Sequence, residues 1–530
     1  MRVSSFKKPN RFSYRYDNLF TCKMGKLIPF DVIPVLPGDV WKVKAVPLAR
    51  MMALLSPAFG EVIVRIHEFF VPNRIVWPHF YEGFMIPTEN EDGSLTTAPF
   101  PTITQTWTEG SLGDYLGYPL GVPFTSSALK IRAYQKVVRD WFMNMNIEDL
   151  KDVPLSTADG EDTSTSQALF NVNWPKDRFT GSFPEKQRGP EIYLPLGDSA
   201  PVNIAGTDQG LMLRGLYQGG EGIATGRMSL NQVGSNFNIR LGQDGTNVGD
   251  VSTQGGYLQK DRVVGVSKNP AESGLTGTVD LTRAAGLSLD AFRTAWQMNK
   301  KLLIDMRGGS RTPEWLLAHY GVRCSDARLQ RSEFLGGSKS YFNVSEVLQT
   351  SATDSTSPQG NMSGHGFSVF STGARTKTFE EHGYIIRVLS IVPRAMYSQG
   401  APREDLKRTP EEFGLPVMSH TMMDAVYKGE VMWTGTDTDK QPLGYRNIYD
   451  EYRQRYSHVA GQFRSSLDYW TWARKFAAQP VLNKNFIQVE QIDRPFATTD
   501  TDHFLVDVKT IARAYRRLPI KGDPGLIDHQ

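Results

Sequence analysis

The 530-residue chain predicts a mainly β, loop-rich fold, and three observations carry that expectation. Its 48 Gly and 31 Pro make up roughly 15% of the residues, against an average of about 12%. Together with 11% aromatics, that is the composition of many turns and short strands. The strongest strand patterns lie far apart, at Glu61–Pro72, His382–Pro393 and Asp502–Tyr515. Strands so distant imply non-local antiparallel pairing with long excursions between them. The regular strand–helix alternation of an α/β protein is absent.

From the N-terminus, residues 1–20 read as a basic aromatic arm. Lys7, Lys8, Arg11 and Arg15 alternate with Phe6, Phe12, Tyr14 and Tyr16, and no acid precedes Asp17. Such a segment neutralises phosphates and stacks on bases, or packs its aromatics on its own fold and leaves the cations solvated. In EVIVRIHEFFVP, Val62, Val64 and Ile66 alternate with Ile63, Arg65 and His67, which predicts a half-buried strand ended by Pro72. Between Ala128 and Met145 one helical face carries Tyr134, Val137, Val138, Trp141, Phe142 and Met145.

Residues 200–285 form a low-charge, glycine-rich stretch that reads as a surface insertion of turns and weak polar strands. Ser288 is placed to cap a helix that Gly308-Gly309 stops, and Thr312-Pro313 opens a shorter one that Gly321 closes. At the far end Arg513, Arg516 and Arg517 cluster beside Tyr515, either to meet phosphates or to face solvent.

Charge and motifs narrow the function classes. With 59 Lys+Arg against 56 Asp+Glu the net charge is +3, so a basic surface, if there is one, is local. No apolar run approaches the roughly 18 residues of a membrane span, and the opening MRVSSFKKPN lacks the apolar core of a signal peptide. Cys22 and Cys324 are too few for a disulfide scaffold and fit a reducing compartment as small apolar fillers. Gly336–Ser340 lacks the second glycine of a phosphate loop, and His67-Glu68 has no second His four residues on. Glu411-Glu412 follow Pro410 as a helix first turn does, and Glu380-Glu381 beside His382 make no recognisable acid–base set.

No catalytic residue, metal or cofactor is expected. Two classes remain: an assembly protein whose loops bury against symmetry mates, and a carbohydrate-binding or carbohydrate-cleaving β protein stacking Trp433, Trp470 and Trp472 on sugars.

Phrases in fixed order along nearly the whole chain decide between them. They include VLPGD (Val35–Asp39), EFFVPNRIVW (Glu68–Trp77), AYQKVVRDWFMN (Ala133–Asn144) and NWPKDRFTGSFPEKQRG (Asn173–Gly189). RGGSRTPEWLLAHYGV (Arg307–Val322), EEHGYIIRVLSIVPRAMYSQG (Glu380–Gly400) and LGYRNIYDEYRQRYSHVAGQF (Leu443–Phe463) follow. The chain resembles the major capsid proteins of the Microviridae, in particular the gokushovirus branch.

That resemblance implies an eight-stranded antiparallel jelly roll over residues 1–530, with long inserted loops and several helices. It implies a homo-oligomeric T=1 icosahedral shell around circular single-stranded DNA, assembled in the bacterial host cytoplasm. It further implies a small basic DNA-binding protein and vertex or pilot proteins as virion partners. The insertion at 200–285 matches the family's threefold protrusion, which is expected to meet a host surface receptor. Composition alone nominates Lys7, Lys8, Arg11, Arg15, Arg513, Arg516 and Arg517 as the nucleic-acid-facing residues.

Overall fold

The computed structural model describes residues 9–190, 192, 289–309, 311–322, 330–348, 362–421, 423–518 and 520, with the backbone of seven strands between 202 and 279. The chain divides into two compact units, Met1–Arg188 with Leu303–Gln530, and Gly189–Leu302.

Eight strands frame the first unit: β1 (Asn10–Cys22), β2 (Ile28–Val35), β3 (Val40–Met51), β4 (Val62–Pro72), β5 (Glu333–Tyr341), β6 (Met362–Val369), β7 (Gly383–Pro393) and β8 (Phe504–Arg516). One sheet runs β1-β8-β3-β6, extended by Asn343–Leu348 beside β6 and by Arg375–Thr378 beside β3; the other runs β5-β4-β7-β2. All these pairings are antiparallel. The orders 1-8-3-6 and 2-7-4-5 are those of two sheets folded from a pair of Greek keys, a jelly roll. The expected strands at 61–72, 382–393 and 502–515 are β4, β7 and β8.

The two sheets close over an apolar core. At one end Trp41, Val43, Ala512 and Ala514 of the first sheet meet Ile33, Val35, Phe70 and Ile385 of the second. β4 departs from its sequence pattern, since it is buried on both faces rather than one. The reason is a helix, α1 (Ala128–Val137), which packs against β4 and β7 on the outer side of their sheet.

Ser127 caps α1 by accepting the Leu129 N–H at 3.3 Å. The expected helical face runs on to Met145, but α1 ends at Val137 and a wider turn follows over Val138–Phe142. That turn lets Asp140 accept the Ser332 N–H at 2.8 Å and Trp141 donate to the Ser332 carbonyl at 3.1 Å.

Helix α2 (Leu289–Arg307) contains the division between the units. Its proposed cap, Ser288, lies outside the described residues. Helix α3 (Thr312–Tyr320) ends where the sequence places its stop: Gly321 takes φ +69° and donates to Leu317 O at 3.0 Å. In the second unit five strands form an antiparallel sheet between Met212 and Val266, and Val202–Gly206 pairs with Leu275–Val279.

Candidate nucleic-acid interface

The period of two along a strand sorts the N-terminal arm into two faces. In β1, Phe12, Tyr14 and Tyr16 turn toward the sandwich, where Tyr14 stacks on Trp41 at 5.4 Å and the Tyr16 hydroxyl donates to Asp31 at 2.9 Å. Arg11 and Arg15 take the opposite, exposed face. The aromatic half of the arm is thus used for packing, and the basic half faces out.

Strand register then adds neighbours to those cations. Arg11 lies opposite Tyr515, Ser13 opposite Arg513 and Arg15 opposite Ile511 on β8. On the next strand Arg513 faces Lys42, Ile511 faces Lys44 and Leu505 faces Arg50. Lys509 belongs to the same face, 3.8 Å from Asp17. Seven cations therefore share one open sheet face with the carboxylates of Asp17 and Asp507. Among the described residues, the six cations other than Lys509 have no ion-pair partner.

Strands stand about 4.8 Å apart, so like charges opposite one another repel unless an anion lies over them. The far end of the face is apolar, with Leu19, Leu505, Phe367 and Val369 exposed.

The remaining nominated residues have other places. Arg516 faces the opposite side of β8: its Nε donates to Asp39 at 2.8 Å, its Nη2 to the Pro34 carbonyl at 2.6 Å, and its guanidinium lies 4.8 Å from the Trp41 ring centre. Arg517 is exposed just past the strand end, and Lys7 and Lys8 lie outside the described residues. Composition missed Lys42, Lys44, Arg50 and Lys509. The signal for three of them was present in VWKVKAVPLAR, where every second residue from Val40 to Arg50 takes the outer face.

The sugar-stacking tryptophans do not form a platform. Trp472 is wholly buried, Trp470 stacks on Phe59 at 5.8 Å, and Trp433 stands partly exposed elsewhere. The acidic pairs are structural. The Glu412 carboxylate accepts the Arg408 and Thr409 N–H groups at 2.6 and 3.0 Å, bonds that hold it below the usual carboxylate range, and Glu381 pairs with Arg74 at 3.0 Å. Cys22 is a free thiol buried in the core, and burial pushes its pKa well up, as an inert filler requires. Gly336–Ser340 lies within β5 and makes no phosphate loop.

A jelly roll with long excursions between its strands and one broad basic face is an architecture of viral coat proteins. The comparisons give the family. A model described as Capsid protein (F protein) matches residues 5–526, and the chain belongs to that family. It is 29% identical to the capsid protein VP1 of Chlamydia phage 1, over 99% of this chain and 96% of the relative. It is also 29% identical to VP1 of Bdellovibrio phage phiMH2K, over 93% and 90%, and to VP1 of Spiroplasma virus 4, over 95% and 92%. The chain is thus a structural capsid protein of the Microviridae type, a component of the virion that assembles with copies of itself. No described helix is long and apolar enough to cross a membrane.

Proposed function

We propose that copies of this chain close into a T=1 icosahedral shell around circular single-stranded DNA, with the open β1-β8-β3 face turned inward against the genome. The observation that carries this reading is the gathering of Arg11, Arg15, Lys42, Lys44, Arg50, Lys509 and Arg513 on that face, although the whole chain has a net charge of only +3. Cations spread over a flat sheet suit a flexible polyanion, because phosphate neutralisation needs no base-specific groove. Arg516 and Arg517 border the same end of β8.

Seven cations per subunit neutralise only part of an enclosed genome, which leaves a role for a small basic companion protein. Vertex or pilot proteins would complete the particle. The glycine-rich insertion at 200–285 serves as the threefold protrusion that meets a host receptor.

Particle assembly tests the reading. Arg11→Gln, Lys42→Gln, Lys44→Gln and Arg513→Gln combined are expected to yield closed shells whose ratio of absorbance at 260 to 280 nm falls toward that of protein alone. Shells that retain the full DNA content would overturn the inward assignment of this face.

A further inference from the structure

A second group of cations lines a cavity of about 510 Å³ on the outer side of the four-stranded sheet, away from the open basic face. Its walls come from the Val138–Phe142 turn, the Asn173–Phe183 loop, the end of α2 and the start of α3. Lys176, Arg307, Arg311 and Arg331 face two carboxylates there, Asp140 and Glu314.

The carboxylates do not satisfy the cations. Asp140 already accepts from Lys136 at 3.0 Å and from the N–H and hydroxyl of Ser332 at 2.8 and 2.9 Å. Glu314 stands 3.6 Å from Arg311 and 3.8 Å from Arg331, beyond good hydrogen-bond reach. Lys176 and Arg307 have no ion-pair or hydrogen-bond partner among the described residues.

Two donors and one acceptor around the cavity stand without a partner. Arg331 Nε, Trp174 Nε1 and Asn173 Oδ1 belong to residues lining the cavity, and each is buried without a partner. Trp174 is only 3% exposed. A buried donor left unpaired costs about 1–3 kcal/mol, and an anion in the cavity could accept from both Arg331 Nε and Trp174 Nε1. Two of the arginines are held in place by the backbone. Arg311 donates to the Arg139 and Met143 carbonyls at 2.6 and 3.2 Å. Arg331 donates to the Asp140 carbonyl at 3.0 Å and lies 3.7 Å from the Trp141 ring centre. Burial and then the neighbouring Arg311 lower the Arg331 pKa, and Glu314 and Asp140 offset them only in part.

We propose that this cavity is an anion site for a phosphate monoester, with room for a whole nucleoside monophosphate. Guanidinium forks fit phosphate oxygens two at a time, and the volume falls within the range of small-molecule sites. The Trp141, Trp174 and Phe183 walls suit a flat ring attached to the phosphate.

The experiment titrates the purified chain with inorganic phosphate, deoxyadenosine monophosphate and deoxyadenosine, followed by calorimetry and thermal melting. Phosphate and the nucleotide are expected to bind saturably and deoxyadenosine not to bind, with the nucleotide tighter than phosphate by roughly tenfold. Arg307 and Lys176 are exposed, so Arg307→Gln with Lys176→Gln is expected to keep the unliganded melting temperature. That variant is expected to weaken the nucleotide by at least roughly tenfold, while Lys42→Gln with Lys44→Gln leaves it unchanged.

A short oligonucleotide carrying a 5′-phosphate, compared with one ending in a 5′-hydroxyl, shows whether a strand end or only the free nucleotide enters; either result supports the site. No saturable phosphate binding, or binding indifferent to Arg307→Gln with Lys176→Gln, overturns the proposal. A shell-assembly defect in Arg307→Gln where the parent chain binds no phosphate also overturns it and assigns the cavity to a subunit contact.

Discussion

Arg387 has no exposed surface, and its contacts tie the two sheets together. From β7 its Nη1 donates to Asp31 on β2 and to Thr510 on β8, both at 2.9 Å, and its Nε donates to Glu68 on β4 at 3.1 Å. The Tyr16 hydroxyl reaches the same Asp31 from β1. Burial raises the Asp31 pKa while Arg387 pulls it back, so the carboxylate depends on its partner. Replacing Arg387 with Met strands two buried carboxylates and should cost about 3–5 kcal/mol in urea unfolding of the unassembled chain. Adding Asp31→Asn and Glu68→Gln should recover more than half of that loss; a loss left unrecovered would show that the carboxylates were not its cause. None of this was legible in the sequence, because its carboxylate partners stand more than three hundred residues from Arg387 and Thr510 stands 123 away. His67 makes the complementary case. Burial, then Arg65 and Arg375, push its pKa from 6.5 down to about 4, among the rings of Phe69, Phe142 and Phe334. The folded chain keeps His67 neutral while the unfolded chain protonates it near 6.5, so stability is lost as pH falls from 6.5 toward 4. The loss is at most about 3 kcal/mol. The urea midpoint of the parent chain should fall through that window more steeply than that of His67→Phe, and parallel slopes would rule His67 out.

The strands and helices show what a local pattern can and cannot reveal. Gly321 was legible as a helix stop because the left-handed position after a helix favours glycine whatever lies nearby. Gly308 was legible only as a stop. Its second role is contact, since an added Cβ would come within 2.4 Å of the Ala318 Cβ on α3. β4 was recognised as a strand, yet its two-sided burial depends on α1, which lies about sixty positions downstream. The basic face illustrates the same limit. Composition found Arg11, Arg15 and Arg513, whereas the register that sets Lys42 and Lys44 beside β8 comes from pairing across more than four hundred residues. A face that binds a polyanion through phosphates alone has a measurable signature. The slope of log affinity against log salt for single-stranded oligonucleotides falls by about 0.7 for each cation removed. Lys42→Gln, Lys44→Gln and Arg513→Gln together should therefore lower the slope by about 2, equally for mixed-sequence and homopolymeric strands. A loss confined to one sequence, or an unchanged slope, would remove these residues from the interface.

At the scale of the whole molecule, closure is non-local: β1 and β8 pair from Asn10↔Arg516 to Cys22↔Phe504, joining the two ends of the described chain. Distant strands and the missing α/β alternation pointed to such pairing, and the ordered phrases shared with phage coat proteins supplied the jelly roll that patterning alone did not. A fold closed this way tolerates large excursions, because what an insertion must preserve is the position of its two ends. The second unit meets that requirement within its own backbone. Val202–Gly206 pairs with Leu275–Val279 residue for residue, so Gly206 and Leu275 stand opposite each other across one ladder. Removing residues 207–274 and joining Gly206 to Leu275 through Asn-Gly, the two-residue turn that suits an antiparallel hairpin, keeps that ladder and shortens only what lies beyond it. If the insertion is the receptor-binding protrusion, the shortened chain should form shells that enclose DNA as the parent does but no longer adsorb to the host, as counted by particles left in the supernatant after mixing with cells. Adsorption at the parental level would place attachment elsewhere on the shell. Failure to form shells, with the shortened chain still folded by its melting curve, would make residues 207–274 part of the subunit contacts, and the low charge of the segment would then reflect burial between neighbours.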